Sequence, residues 1–324
     1  MRALVTGASG FVGGYLVQRL AQDAEVFAAG GPHDGAGYLP IDLLDAETLH
    51  AAFDLAQPDV VFHLAAQAFV PQAIEAPAET YETNVMGTAN VLAALRAFRD
   101  RGERKVRLVY VSSAEVYGAQ PPESMPIDEM RAPNPANPYA ASKAAAEAFV
   151  LGEVRSFGVD AVITRAFNHI GAGQSERFAV PSFAAQLSKI AQGGEPVLHV
   201  GNLEAKRDFL DVRDVVDAYV LLAQRGASGE IYNVCSGTAL SMREILGELI
   251  RVAHVPVEVR EDPARMRPSD VPLLYGNNEK LRHATGWSPR IPLRVTLQDV
   301  YRSFDKVKNP SNPSTCSGSF DTSR

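Results

Sequence analysis

The sequence predicts an α/β protein, a doubly wound parallel sheet followed by a smaller C-terminal lobe, on three observations. Short apolar runs alternate with helical stretches through the first half of the chain. A glycine-rich turn follows the first of those runs at once. Beyond residue 166 the alternation loosens. With 324 residues, 46% of them apolar, the chain can bury a large core as one big or two modest domains.

Taken in order, Ala3-Leu4-Val5 forms the first strand and runs into Thr6-Gly7-Ala8-Ser9-Gly10-Phe11-Val12-Gly13. An amphipathic helix carrying Tyr15, Leu16 and Leu20 follows. A strand, a glycine turn and a helix N-terminus together form the arrangement that receives a pyrophosphate. Gly7 permits the turn, Gly10 permits close backbone approach, and Gly13 lets helix and strand pack. An ordinary strand-to-helix turn is the plainer reading, but the position directly after the first strand favours the binding one.

Further strand-like runs lie at 26–28, 38–41, 60–64, 106–111 and 161–164, with helices between most of them, which implies a parallel sheet covered on both faces. After residue 166 the pattern predicts a helix over 181–192, a strand near 197–200, a helix over 214–223 and a strand over 231–234. Helices over 242–252 and 294–304 close the globule. The expected division is a dinucleotide-binding domain over 1–166, to which the segment near 208–235 returns, and a mainly substrate-binding lobe over 167–304. Residues 305–324, rich in Asn, Pro, Ser and Thr, read as a disordered tail. No internal repeat is present.

A net charge of −7 and a pI near 5.6 leave no basic stripe for nucleic acid, so an anionic ligand would need local cations. Two cysteines, Cys235 and Cys316, make neither a disulfide framework nor a zinc cluster. No apolar run reaches the roughly 20 residues of a membrane span, and the N-terminus is a core strand rather than a signal peptide. The expected compartment is the cytoplasm.

Chemistry concentrates in two blocks, a strand ending Val111-Ser112-Ser113 and the run Tyr139-Ala140-Ala141-Ser142-Lys143. A Tyr and a Lys four apart on a helix share one face, so the ammonium is expected to lower the phenol from its usual value near ~10. With a hydroxyl beside it, such a phenol serves as an acid–base group. His63 is expected to cap a strand end and His169 to pack beside Asn168. No spacing suggests a metal site.

These blocks together resemble the extended short-chain dehydrogenase/reductase family that acts on nucleotide-linked sugars, over nearly everything up to about residue 304. The motifs are GASGFVG, Asp42-Leu43, His63-Leu64-Ala65-Ala66, Asn84-Val85-Met86-Gly87-Thr88, YVSSAEVYG and Pro138 to Lys143. Within that family RAFNHIGAGQ, VGNLEAKRDFLDVRDVVDAY, YNVCSG, DPARMRPSDVP and TGWSPRIPL are most similar to the GDP-4-keto-6-deoxy-D-mannose reductases. The related GDP-mannose 4,6-dehydratases share much of this pattern.

The resemblance implies a Rossmann-type fold and a catalytic set of Ser113, Tyr139, Lys143 and Glu115. For the cofactor, NADP(H) or NAD(H), it implies Gly7, Ser9, Gly10, Phe11, Val12, Gly13, Asp42, Leu43, Leu64, Ala65 and Ala66, with Tyr139 and Lys143. For a GDP-linked 4-keto-6-deoxyhexose it implies Ser113, Glu115, Asn168, Val180, Lys189, Arg207, Arg267 and Asp270. The implied reaction is reduction of the C4 ketone of GDP-4-keto-6-deoxy-D-mannose to GDP-D-rhamnose. Its C4 epimer GDP-6-deoxy-D-talose, a 4,6-dehydratase activity and a non-catalytic dinucleotide-binding regulator remain open, the last disfavoured because Tyr139 and Lys143 are both present. A homodimer is expected through the helices starting near Asn84 and Tyr139, packed as a four-helix bundle, because Ala140, Ala141, Ala144, Ala145, Ala146 and Ala148 permit close approach.

Three departures from the family pattern carry expectations of their own. Dehydration needs its own acid and base after the Ser/Thr, yet Ala114 is inert and only Glu115 is acidic. The stretch Ala28-Ala29-Gly30-Gly31-Pro32-His33 offers neither acid nor Arg at the second strand's end, so this pocket is expected to be neutral and open, favouring NADPH with NADH accepted. Ala172 stands where the family has Pro and is expected to loosen the loop after Asn168.

Overall fold

The computed structural model describes residues 1–31, 34–35, 37–102, 105–266 and 271–305. Two of the expected substrate residues, Arg267 and Asp270, lie outside the described residues, as do Pro32, His33 and the tail from 306 onward.

The first half runs β1 (Arg2–Thr6), α1 (Phe11–Leu20), β2 (Glu25–Gly30), β3 (Leu39–Pro40), α2 (Ala46–Ala56), β4 (Val60–His63), α3 (Val70–Glu75), α4 (Pro77–Tyr81), α5 (Gly87–Gly102), β5 (Arg107–Ser113), α6 (Pro138–Phe157) and β6 (Asp160–Ala166). The second runs β7 (Asn168–Ile170), α7 (Ala179–Ala191), β8 (Val197–Val200), β9 (Lys206–Asp211), α8 (Val212–Arg225), β10 (Ile231–Val234), β11 (Ala239–Ser241), α9 (Met242–Ala253), β12 (Glu258–Glu261), β13 (Leu273–Leu274), α10 (Glu279–Thr285) and α11 (Leu293–Phe304).

The main sheet has seven strands in the order β10-β6-β5-β4-β1-β2-β3, and every pairing in it is parallel. This is the doubly wound order, in which the chain reverses direction between β1 and β4 and leaves a crevice at their carboxyl ends. Strands such as Val60-Val61-Phe62 are apolar throughout because helices cover both faces. Leu16 and Leu20 of α1 pack with Val215 and Tyr219 of α8 on one face. Leu49 and Phe53 of α2, Leu95 of α5 and Val150 of α6 pack on the other.

The smaller layer is centred on β9, which pairs antiparallel with β11 and parallel with β13 and β7. Its core joins Val180, Phe183 and Leu187 of α7 to Leu246 and Leu249 of α9 and Leu297 and Val300 of α11. Between these pieces α8 and β10 return to the main sheet, where β10 pairs with β6. Strand β9 escaped the sequence reading because Lys206-Arg207-Asp208 looks like a solvated charge run. In the fold Asp208 is fully buried and its carboxylate accepts from the Ser236 amide and hydroxyl and the Gly237 amide. In the loop after Asn168 the Tyr15 hydroxyl donates to the Ala172 carbonyl at 2.9 Å.

Candidate active site

The glycine turn is closed by backbone contact. Gly7 has φ +71°, and a Cβ there would lie 2.7 Å from the Ala65 amide nitrogen, while one at Gly13 would lie 2.1 Å from the Gly7 carbonyl oxygen. Gly10 begins α1 with no side chain capping it, so the first amides of the helix are open to an anion. These features fit the pyrophosphate of a dinucleotide. The Leu64 amide bonds the Thr6 carbonyl and the Ala65 amide the Thr6 hydroxyl, which holds the 64–66 segment against the turn. His63 is clamped between Thr6 (2.7 Å) and Thr88 (3.1 Å), and burial pushes its ring down to about 3. It is a neutral strut, as its place at the strand end suggested.

Phe11 stacks parallel on His169 with 6.4 Å between ring centroids and meets Tyr15 edge-on, while Val12 packs on the core. Thus α1 touches the chain that leads into the smaller layer. Asp42 is exposed and accepts from the Leu44 amide at 2.9 Å, and Leu43 lies against Gly87 at the start of α5. The expected neutral pocket after β2 requires correction. The chain turns back at Gly31, so that the Asp34 amide bonds the Gly31 carbonyl. The Asp34 Oδ2 then accepts from the Gly31 amide at 2.6 Å and from the Ser9 hydroxyl at 2.5 Å.

Ser113 ends β5, and its hydroxyl accepts from the Glu115 amide, starting a short turn over Ala114–Tyr117. Asn137 caps α6 by accepting from the Ala140 amide, with Pro138 in the first turn, which sets Tyr139 and Lys143 on one face a turn apart. The Lys143 Nζ donates to the Val111 carbonyl at 2.8 Å and stands 5.1 Å above the Tyr110 ring. Burial pushes this ammonium down to about 8, with Glu147 opposing. Tyr139 also departs from expectation: burial raises its phenol to about 12, a hydrogen bond with Ser113 pulls it down, and the charge of Glu115 pushes it up. The net shift is upward, opposite to the expected lowering, because desolvation of the phenol is the largest cause. Behind this cluster Glu147 is buried, bonded to Arg165 at 2.7 Å and to the Ser112 hydroxyl at 2.6 Å. Asn84 bridges the Gln67 backbone and the Ser142 hydroxyl, tying the loop after β4 to α6.

A cleft of about 560 Å³ opens between the two layers, and Asn168, Val180 and Arg207 all line it. Ser113, Glu115 and Tyr139 are not among its walls, but Ser113 pairs in register with Ala166, and the chain continues from there through Phe167 to Asn168. Lys189 does not line it either. It is exposed in the last turn of α7, whereas the cleft touches the first turns of that helix; seven residues separate it from Ser182, roughly 10 Å along the axis. The cleft adds residues the sequence reading missed. Phe69 meets Phe178 edge-on at 6.0 Å and lies under the Arg177 guanidinium at 5.7 Å. Arg265 reaches the Ser182 hydroxyl at 3.4 Å. Arg265 had a signal, a second guanidinium in the segment that carries Arg267, whereas Phe69 and Phe178 had none because their pairing joins distant loops.

A doubly wound parallel sheet with an open glycine turn, and a Ser, Tyr and Lys gathered at the ends of β5 and α6, define an extended short-chain dehydrogenase/reductase. The sequence profile of the GDP-mannose 4,6 dehydratase family matches residues 33–300, and the chain belongs to that family. It is 38% identical to the GDP-6-deoxy-D-mannose reductase of Pseudomonas aeruginosa over 94% of this chain and 97% of that protein. It is 30% identical to the GDP-6-deoxy-D-talose 4-dehydrogenase of Aggregatibacter actinomycetemcomitans over 94% of this chain and 98% of the relative. The solved structure of RMD from Pseudomonas aeruginosa complexed with NADPH superposes with a TM-score of 0.85 at 36% identity, covering 95% of this chain and all of that one.

Proposed function

We propose that this protein reduces the C4 ketone of GDP-4-keto-6-deoxy-D-mannose to GDP-D-rhamnose, with NADPH favoured and NADH accepted. The observation that carries the reading is likeness to a reductase of a GDP-linked 6-deoxyhexose along almost the whole of both chains. The state of Tyr139 agrees with it. A phenol raised to about 12 stays protonated at neutral pH, and ketone reduction needs a proton donor rather than a base. In this reading Tyr139 gives its proton to the C4 oxygen and Ser113 hydrogen-bonds the same oxygen. Lys143, anchored on the Val111 carbonyl, holds the nicotinamide ribose. When bound, the reduced nicotinamide supplies the hydride. The Gly7 to Gly13 turn takes the cofactor pyrophosphate, Asp42 and the 64–66 backbone take the adenine, and Arg207 and Arg265 take the substrate diphosphate.

Glu115 beside Tyr139 is the observation that favours a second reading, 4,6-dehydration of GDP-mannose, which needs an acidic group there; its weakness is Ala114 next door. Incubating the protein with NADPH and GDP-4-keto-6-deoxy-D-mannose, and separately with GDP-mannose alone, then resolving the nucleotide sugars, tests both. GDP-D-rhamnose in the first arm and nothing in the second is expected. A talose epimer would correct the face of hydride delivery, and a 4-keto product in the second arm would make the protein a dehydratase.

The protein acts in the cytoplasm and as a homodimer in this proposal. Ala140 and Ala146 of α6 face inward, while Ala141, Ala145, Ala148, Phe149 and Gly152 form an outward stripe, with Phe149 45% exposed. Met86, just before α5, is 50% exposed, which extends the apolar surface toward a second copy. Light scattering should give a dimer at micromolar concentration, and Phe149→Glu a monomer.

A further inference from the structure

The loop that follows β7 places an amide with one unused end in the wall of the cleft. Gln174 is 9% exposed and lines the cleft together with Asn168 and His169. Its side-chain amide nitrogen donates to the His169 carbonyl at 3.2 Å, while its Oε1 is buried and has no hydrogen-bond partner among the described residues. Leaving a buried amide oxygen unpaired is unfavourable, so each such group calls for an explanation. The hydroxyls of Tyr110 and Tyr219 share this state but sit in the two cores of the main sheet, and neither lines the cleft.

The loop is anchored on α1, through the stack of His169 on Phe11 and the bond from the Tyr15 hydroxyl to the Ala172 carbonyl. Its tip is freer: Gly173, with φ +83°, and Ser175 to Arg177 are exposed, so the Gln174 oxygen can turn to a ligand without disturbing either core. β7 begins two residues after Ala166, which pairs with Ser113, and this puts the loop on the side of the cleft where the chain comes from the reacting groups. An ionised diphosphate offers acceptors alone, whereas the ring hydroxyls of a hexose are donors.

We propose that the Gln174 Oε1 accepts a hydrogen bond from the C2 or C3 hydroxyl of the hexose, which makes Gln174 a specificity-determining residue for the sugar. The inference rests on the reading of the cleft as a GDP-hexose site. Binding of GDP, GDP-mannose and its 2-deoxy and 3-deoxy analogues is measured by titration calorimetry on the NADPH-loaded protein, in which the reduced cofactor cannot take a hydride from the sugar. One deoxy analogue should bind the wild type about tenfold more weakly than GDP-mannose does. Gln174→Met, similar in length but without the amide, should weaken GDP-mannose by about the same factor, leave GDP within about twofold and bind the three sugar ligands alike. Gln174→Glu retains an acceptor oxygen and should keep the discrimination. Loss of discrimination with glutamate as well would mean that the bond to His169 shapes the loop, and would overturn the inference. Equal losses for GDP and GDP-mannose, a loss confined to NADPH, or a wild type indifferent to both missing hydroxyls would overturn it too. A wild type that bound neither GDP nor GDP-mannose would remove the GDP-hexose reading together with the inference, whereas binding of GDP-mannose without hydroxyl dependence would remove the inference alone.

Discussion

The proposed cofactor side and the proposed sugar side of the site are built by different means. On the cofactor side the working groups sit on regular elements of one parallel sheet and are held by buried contacts: Lys143 on the Val111 carbonyl, Thr6 on the Ala65 amide, and Gly13 against the Gly7 carbonyl. On the sugar side Asn168 and Arg265 are exposed, Arg207 is half-buried, and loops and short strands carry them. A rigid side suits a ligand common to many enzymes, and a side made from loops suits the part of the reaction that varies between relatives.

The largest expected effect breaks chemistry without touching either binding side. Tyr139→Phe should lower turnover ~100-fold or more, as loss of a general acid does, with the NADPH dissociation constant within about twofold of wild type. Retention of more than a tenth of the turnover would remove Tyr139 from the mechanism.

Next comes the sugar side alone. Arg207→Ala and Arg265→Ala should each raise the Michaelis constant for the sugar nucleotide about ten- to a hundredfold, since a charge-assisted bond to a diphosphate contributes roughly 1.5 to 3 kcal/mol. The constant for NADPH should barely change. Lys replacements should rescue only part, because a point charge lacks the planar fork. Parallel losses for both ligands would show that the two sides are not separate.

Phe69→Ala tests the rim where the sides meet. Phe69 follows β4 of the main sheet, while Phe178 and Arg177 precede α7 of the smaller layer. Loss of an edge-on pair and a cation–π contact is worth about 1 kcal/mol, so a several-fold rise in the sugar-nucleotide constant is expected, again at unchanged NADPH affinity.

The smallest effect is a pH dependence confined to the cofactor side. An ordinary lysine loses its proton above pH ~10, but Lys143 does so near 8, so its positive charge is present below that pH and is lost as pH rises through it. NADPH affinity should fall a few-fold between pH 7 and 9 in the wild type. In Lys143→Met it should be weaker throughout and flat. A wild-type profile that stayed level to pH 9.5 would show that Lys143 keeps its proton or makes no contact with the cofactor.

The glycine turn and the Tyr-Lys face were legible in the sequence because their signals are local. A strand, three glycines and a helix stand within a dozen residues, and Tyr139 and Lys143 are fixed relative to each other by the helical repeat alone. Even there, local pattern misjudged two electrostatic environments. The Tyr139 phenol is raised rather than lowered because burial, a property of the whole fold, outweighs the hydrogen bond from Ser113. The pocket after β2 is acidic rather than neutral because a turn at Gly31 brings in Asp34 from beyond the stretch 28–33.

The sugar side depended far more on tertiary structure. Asn168, Val180 and Arg207 are brought to one cleft from β7, α7 and β9, and no spacing along the chain encodes that convergence. Lys189 has a charge suited to a diphosphate, yet the rise of α7 carries it away. The alternation of strands and helices, the glycine turn and the Tyr-Lys face each follow from backbone periodicity and the conformations that individual residues allow. Which distant side chains share the cleft and which of them lose water follow from the tertiary structure alone. Burial and electrostatic fields are sums over neighbours that the chain brings together only when it folds.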